Sequence, residues 1–183
     1  EHETMLHCES DPGECATSLA RYTTDGALEW VRNVNVARVS VVAIDEASVG
    51  LVGYTLDPES FLADAPIWTH LYETRYIAVA KYAAADGQLE WARFGELADL
   101  DSHPNHLSVV GMPDGGMVAL LGFLDSLVFD GDDAGAQGVI ADGWKKEMAL
   151  VDFAPDGEIR WVHRLGGEDI DHPHDISQQG GTS

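Results

Sequence analysis

The sequence predicts an all-β chain assembled from repeated four-stranded antiparallel sheets. Three observations carry this. A motif of an aromatic residue, Asp-Gly, Leu or Ile, one further residue and then Trp occurs three times. Apolar runs of strand length lie between turn signals along most of the chain. Few segments show helical periodicity.

The copies read Leu19-Ala-Arg-Tyr22-Thr-Thr-Asp25-Gly26-Ala-Leu28-Glu-Trp30-Val-Arg32, then Val79-Ala-Lys-Tyr82-Ala-Ala-Ala-Asp86-Gly87-Gln-Leu89-Glu-Trp91-Ala-Arg93, then Leu150-Val-Asp-Phe153-Ala-Pro-Asp156-Gly157-Glu-Ile159-Arg-Trp161-Val-His163. Their Asp-Gly pairs are 61 and then 70 residues apart, and self-similarity of this kind marks a repeat architecture. Asp-Gly takes positive φ at low cost, as a tight hairpin turn requires, so each copy opens as a hairpin. Alternation puts Leu28 and Trp30 on one strand face, and likewise Leu89 with Trp91 and Ile159 with Trp161. The three Trp residues read as buried packing anchors between neighbouring sheets.

A second hairpin follows in each complete copy. In the second copy, 107–112 and 116–123 flank Pro113-Asp114-Gly115; in the first, 38–44 and 49–54 flank 45–48. These strands are apolar on both faces and are expected to be buried on both. Two hairpins per copy make four strands, the layout of a β-propeller blade. The copies divide the chain into 18–75, 76–147 and a partial 148–183, so about two and a half blades of an incomplete ring. Segments 59–71 and 144–147 read as loops or outer strands, 131–143 as a Gly/Asp-rich loop, and 1–17 as a polar extended segment. A three-copy β-trefoil fits less well, because its repeats are shorter and the third copy here is incomplete. An open array leaves an apolar face uncovered, so further blades or a second subunit are expected to complete the ring.

The run from Tyr82 through Asp86-Gly87, Trp91, Gly95, Asp101, Val109-Val110, Gly115-Gly116 and Gly122-Phe123 to Phe129 resembles a bacterial β-propeller repeat family, with Gly166-Gly167 matching in the third copy. The resemblance covers 18–183. It implies a propeller in a surface or exported protein. Asp-Gly-x-Leu-x-Trp is also similar to the tryptophan-docking motif of quinoprotein-like propellers, although those repeats are shorter. Neither resemblance carries over a cofactor-binding set.

Acidic residues number 32 against 10 Lys and Arg, for a net charge of −22. Such a surface repels phosphate backbones and anionic membranes, so neither nucleic acid nor a membrane is an expected partner. It reads as a solvating surface, with divalent cations or a cationic partner as the sharper alternative. No apolar run is long enough for a membrane helix, and no signal peptide is visible. A start at Glu1 without Met reads as a mature or trimmed product.

The chemistry-bearing cluster is Asp99, Asp101, His103 and His106, with a counterpart at Asp169, Asp171, His172 and His174. Imidazole beside carboxylate suits zinc or another borderline metal, so Asp101, His103, His106, Asp171, His172 and His174 are the candidate ligands. The alternative is that they cap strand ends, and the first copy lacks the cluster at 33–37. Asp130-Gly-Asp132-Asp133-Ala-Gly135 opens like a calcium loop, but Ala141 stands where the bidentate acid is needed, which leaves at most an irregular calcium site. There is no nucleophile elbow, phosphate-cradling loop or His-Glu-x-x-His. The chain therefore reads as a non-enzymatic binding or scaffold module of an exported or cell-surface bacterial protein, extracellular or periplasmic, with a protein or carbohydrate ligand. The competing reading is a metal-dependent hydrolase or lyase whose channel site uses the Asp/His loops.

Cys8 and Cys15 flank Asp11-Pro12-Gly13, a turn-forming tripeptide that can bring the thiols together. A disulfide is expected, as suits an exported protein. Thiol counting under denaturing, non-reducing conditions should find no free thiol; two would remove this argument for export.

Overall fold

A computed structural model describes residues 17–55, 58–62, 75–97, 107–129, 137–140, 146–166 and 176. Cys8, Cys15 and the expected disulfide lie outside them. The described residues are all-β apart from α1 (Pro58–Leu62), a five-residue helix that overlaps the start of the segment 59–71 read as loop or outer strand. Three antiparallel sheets form, and none closes on itself.

The first sheet is the hairpin β1 (Ser18–Tyr22) and β2 (Leu28–Asn33). The central sheet contains β3 (Ala37–Ala43), β4 (Ser48–Thr55), β5 (Arg75–Ala83) and β6 (Leu89–Leu97) as a meander. The last sheet contains β7 (Leu107–Gly111), β8 (Met117–Leu124), β11 (Lys146–Phe153) and β12 (Ile159–Leu165). Between β8 and β11 the chain leaves this sheet. Asp125 takes a left-handed φ of 65°, and the hairpin β9 (Ser126–Phe129) and β10 (Gln137–Ile140) adds to β6 at the edge of the central sheet. β10 thus lies within the stretch read as a Gly/Asp-rich loop.

The sheets are out of phase with the sequence copies. β4 pairs with β5 from Ser48↔Ala83 to Thr55↔Tyr76, so the second hairpin of copy one joins the Asp-Gly hairpin of copy two. β8 and β11 repeat this between copies two and three. The four-stranded meander of the six-stranded central sheet and the four-stranded last sheet are therefore each built from two adjacent copies.

Gly26, Gly115 and Gly157 each donate their N–H to the carbonyl three residues back, at Thr23, Met112 and Ala154. Their φ of 84° to 86° completes a three-residue loop with a glycine bulge. Copy two has one extra alanine, so Gly87 bonds Ala83, four residues back. Beyond each Asp-Gly-Trp turn lies a second bulge. Leu28 faces Tyr22 and Trp30 faces Arg21, which leaves Glu29 unpaired between them; Glu90 and Arg160 are skipped in the same way. The extra residue reverses the parity of the strand. The shared face expected for Leu28 and Trp30, and for the matching pairs, is therefore wrong. Leu89 packs into the core toward the first sheet, while Trp91 lies in the core toward the last.

The central sheet is buried on both faces, which explains why β4 reads as continuously apolar. Leu51, Ala78, Ala80 and Tyr82 meet Leu19 and Phe61 on one side. On the other, Val52, Ile77, Val79 and Trp91 meet Met117, Leu121, Val151 and Phe153. Phe153 stacks on Trp91 at 5.8 Å and meets the edge of Phe129 at 5.7 Å. Leu127 and Phe129 of β9 complete this core.

Two turn carboxylates are held in their ionised form by local hydrogen bonds. Asp114 is held below its ordinary pKa, chiefly by the Gly116 N–H and then by Arg160; Asp25 is lowered chiefly by the Thr23 hydroxyl. A carboxyl depressed in the folded state stabilises it fully above the unfolded pKa, about 3.9, and loses that contribution as pH falls through the lower folded value. The urea midpoint should therefore drop on acidification below about pH 4, with a shallower drop in Asp114→Asn. Parallel curves would show that the turn carboxylate is uncoupled from folding.

Candidate functional site

The described residues concentrate their specific polar contacts at the junctions between sheets. Reversed parity aims Trp30 and Arg32 of the first sheet at the central one, and Trp91 and Arg93 of the central sheet at the last. The Trp30 indole N–H donates to the Ala84 carbonyl at 2.9 Å, and Trp91 donates to Pro155 at the same distance. Arg32 Nε donates to the Gly87 carbonyl at 3.1 Å, and Arg93 Nε to Gly157 at 2.9 Å. A Cβ on Gly87 would lie 2.7 Å from Trp30 Cε3, and one on Gly157 2.6 Å from Trp91 Cδ2. The glycine of each Asp-Gly pair is thus required twice, for the left-handed turn and for the indole that rests on it. Tryptophan and guanidinium together clasp the turn of the next sheet.

A charge pair flanks each clasp, formed between the bulged residue and the residue opposite Trp. It is Arg21–Glu29 at 2.9 Å in copy one and Lys81–Glu90 at 3.4 Å in copy two. Both cations also reach forward. Arg21 donates to the Ala84 carbonyl, and the buried Lys81 ammonium to Gly115 and Pro155 at 3.2 and 3.4 Å. Copy three exchanges the signs, with Asp152 opposite Trp161 and Arg160 in the bulge, 3.5 Å apart. Arg160 also bonds Asp114.

Trp91 is 9% exposed, whereas Trp30 and Trp161 are only half-buried, less than the expected burial of all three. Trp161 faces away from the central sheet, with its ring against His163 at 4.9 Å, and no described residue accepts its indole N–H. At the opposite end, no described neighbour lies within 4 Å of a Cβ on Gly26.

A cleft of about 320 Å³ opens at the first junction, lined by Arg32, Phe61, Leu62, Tyr82, Gln88 and Leu89 among others. Arg32 at its wall is engaged with the Gly87 and Asp86 carbonyls.

Asp101, His103, His106, Asp171, His172 and His174 lie outside the described residues, as do Asp130, Asp132 and Asp133. The first three belong to segment 98–106, which connects β6 to β7. Among the described residues there is no group of three or more His, Cys, Asp or Glu that could hold a metal. The clasping residues missed in the sequence are Arg32 and Arg93, with His163 at the equivalent position of copy three. Each stands two residues after the repeated Trp, and that spacing was the available signal. Comparison of the chain with protein-family models, with curated proteins and with solved structures finds no match.

Truncating Trp91 removes a ring from the central–last core and leaves the Pro155 carbonyl only the longer bond from Lys81, at 3.4 Å. Trp91→Ala should cost about 3–5 kcal/mol in chemical denaturation. Trp91→Phe, which keeps most of the ring, should cost less. A near-zero change for Trp91→Ala would contradict the clasp.

Proposed function

We propose that the chain is a non-enzymatic binding or scaffold module built of β-propeller-type blades, from an exported or cell-surface bacterial protein. The observation that carries this is the clasp made twice between successive sheets, Trp30 and Arg32 onto Gly87, then Trp91 and Arg93 onto Gly157. It supports a serial, direction-keeping stack of sheets, as blades form. The residues that repeat do so as packing and turn groups, and function in such folds resides in surfaces and loops added to the stack. The connection between β6 and β7 and the segment after β12 follow equivalent strands, so the two Asp/His sequences would stand at matching places around a ring. A protein or carbohydrate ligand held there fits this reading.

The competing hydrolase or lyase needs zinc or another metal on Asp101, His103 and His106, or on Asp171, His172 and His174. Metal analysis of purified chain, with and without chelator, separates the two. Sub-stoichiometric transition metal is expected for a binding module, and calcium bound with no hydrolytic activity would be compatible with it. One tightly held transition-metal ion per chain, lost together with the paired His103→Ala and His172→Ala substitutions, would favour the enzyme.

A further inference from the structure

The two outer faces of the stack carry residues equivalent to the two halves of the internal clasp. On the outer face of the last sheet, Trp161 and His163 occupy the places of Trp30 with Arg32 and of Trp91 with Arg93. His163 is exposed, and Leu165 beside it is 37% exposed. On the outer face of the first sheet, the Asp25-Gly26 turn occupies the place of the clasped turns at Gly87 and Gly157. Leu28 is 55% exposed there and Val31 48%. Their counterparts are covered inside the stack: Leu89 and Ala92 pack toward the first sheet, and Ile159 and Val162 toward the central one.

We propose that the outer face of the last sheet receives the Asp25-Gly26 hairpin of a second copy of this chain, continuing the series of internal junctions. This rests on the blade-stack reading above. Three observations select a second copy as the occupant. The receiving face carries the Trp that twice takes an Asp-Gly turn in this molecule. The matching turn is present at the other end of the same chain, with no described neighbour within 4 Å of a Cβ on Gly26. Polarity also agrees: the incoming hairpin brings the exposed Asp25 carboxylate toward a face bearing the exposed His163, while Arg160 is engaged by Asp152 and Asp114 and Glu29 by Arg21.

Trp161 would lie on the partner's turn glycine and donate its N–H to the carbonyls before the Asp-Gly pair. His163 would donate a ring N–H where Arg32 and Arg93 donate theirs. The contact is heterologous, since donor face and acceptor face differ. Two copies related by a two-fold axis make two such junctions and close a ring of about six sheets, within the four to eight of known propellers.

Light scattering after size exclusion of the full chain is the test. A mass about twice 19.8 kDa is expected. Trp161→Ala on the donor face and Leu28→Glu on the acceptor face should each lower the mass toward one chain, with the β circular-dichroism signal retained. An equimolar mixture of the two variants regenerates one intact junction and should recover part of the dimer. A wild-type monomer overturns the proposal, as does a dimer insensitive to both substitutions. A dimer that the mixture fails to rescue shows a self-complementary interface instead and overturns the head-to-tail pairing. Trp91→Ala separates this from failure of the underlying reading: a monomer that this substitution strongly destabilises loses only the pairing, whereas indifference to it removes the stack as well.

Discussion

At each internal junction an indole lies on the α-carbon of a turn glycine, close enough that a methyl group there would overlap the ring. Much else in the molecule serves this contact. The bulge before each Trp exists at the one place where parity must change for the ring to leave its own sheet's inward face. The glycine must be glycine, and its turn must stand at the height of the preceding Trp. The core follows, because once turn and ring are registered, Leu51, Ala78 and Ala80 on one side and Val52, Ile77 and Val79 on the other meet their partners face to face.

Cations are scarce in this chain, 10 among 183 residues, and their placement is correspondingly informative. Arg21, Arg32, Lys81 and Arg93 all donate across a junction to backbone carbonyls of the next sheet. Arg164 lies against the buried Glu147 of β11 and donates to the Ile140 carbonyl of β10. Among the described residues the acids are exposed except Glu147 and Asp152. Short hydrogen bonds to carbonyls at buried junctions are little affected by ionic screening, so the clasps do not depend on low salt.

The Asp-Gly hairpins were legible because glycine and aspartate announce turns through backbone geometry alone, and all four pairs named from the sequence lie at hairpin turns. The faces were not legible. A bulge at Glu29, Glu90 or Arg160 leaves no compositional trace, and a period of two read through it puts Leu28 and Trp30 together when they lie apart. The boundaries of the sheets were hidden for a different reason. Similarity between copies marks where a pattern restarts, whereas a sheet is bounded by the strand pairs that hydrogen bonds choose, here β4 with β5 and β8 with β11. Charge reversal at Asp152 and Arg160 also disguised a pair that is plain in the first two copies. The Asp/His clusters were chosen by chemical type, and their residues fall outside the described segments.

The excursion of β9 and β10 divides the stack unequally. This hairpin is covalently continuous with β8 but hydrogen-bonds to β6, and it buries Leu127 and Phe129 between the two larger sheets. The central and last sheets cannot separate without tearing β9 from one of them. Among the described residues the first sheet has no such strap. There it is a pair of strands, a form with little stability of its own, attached through the Trp30 clasp, Arg21, Leu19 and the buried Val34-Asn35-Val36 connection. Local opening should therefore begin there. Amide protons of Ser18–Tyr22 would exchange with solvent through detachment of one hairpin, while those of β5, β8 and β11 would await loss of the whole remaining body.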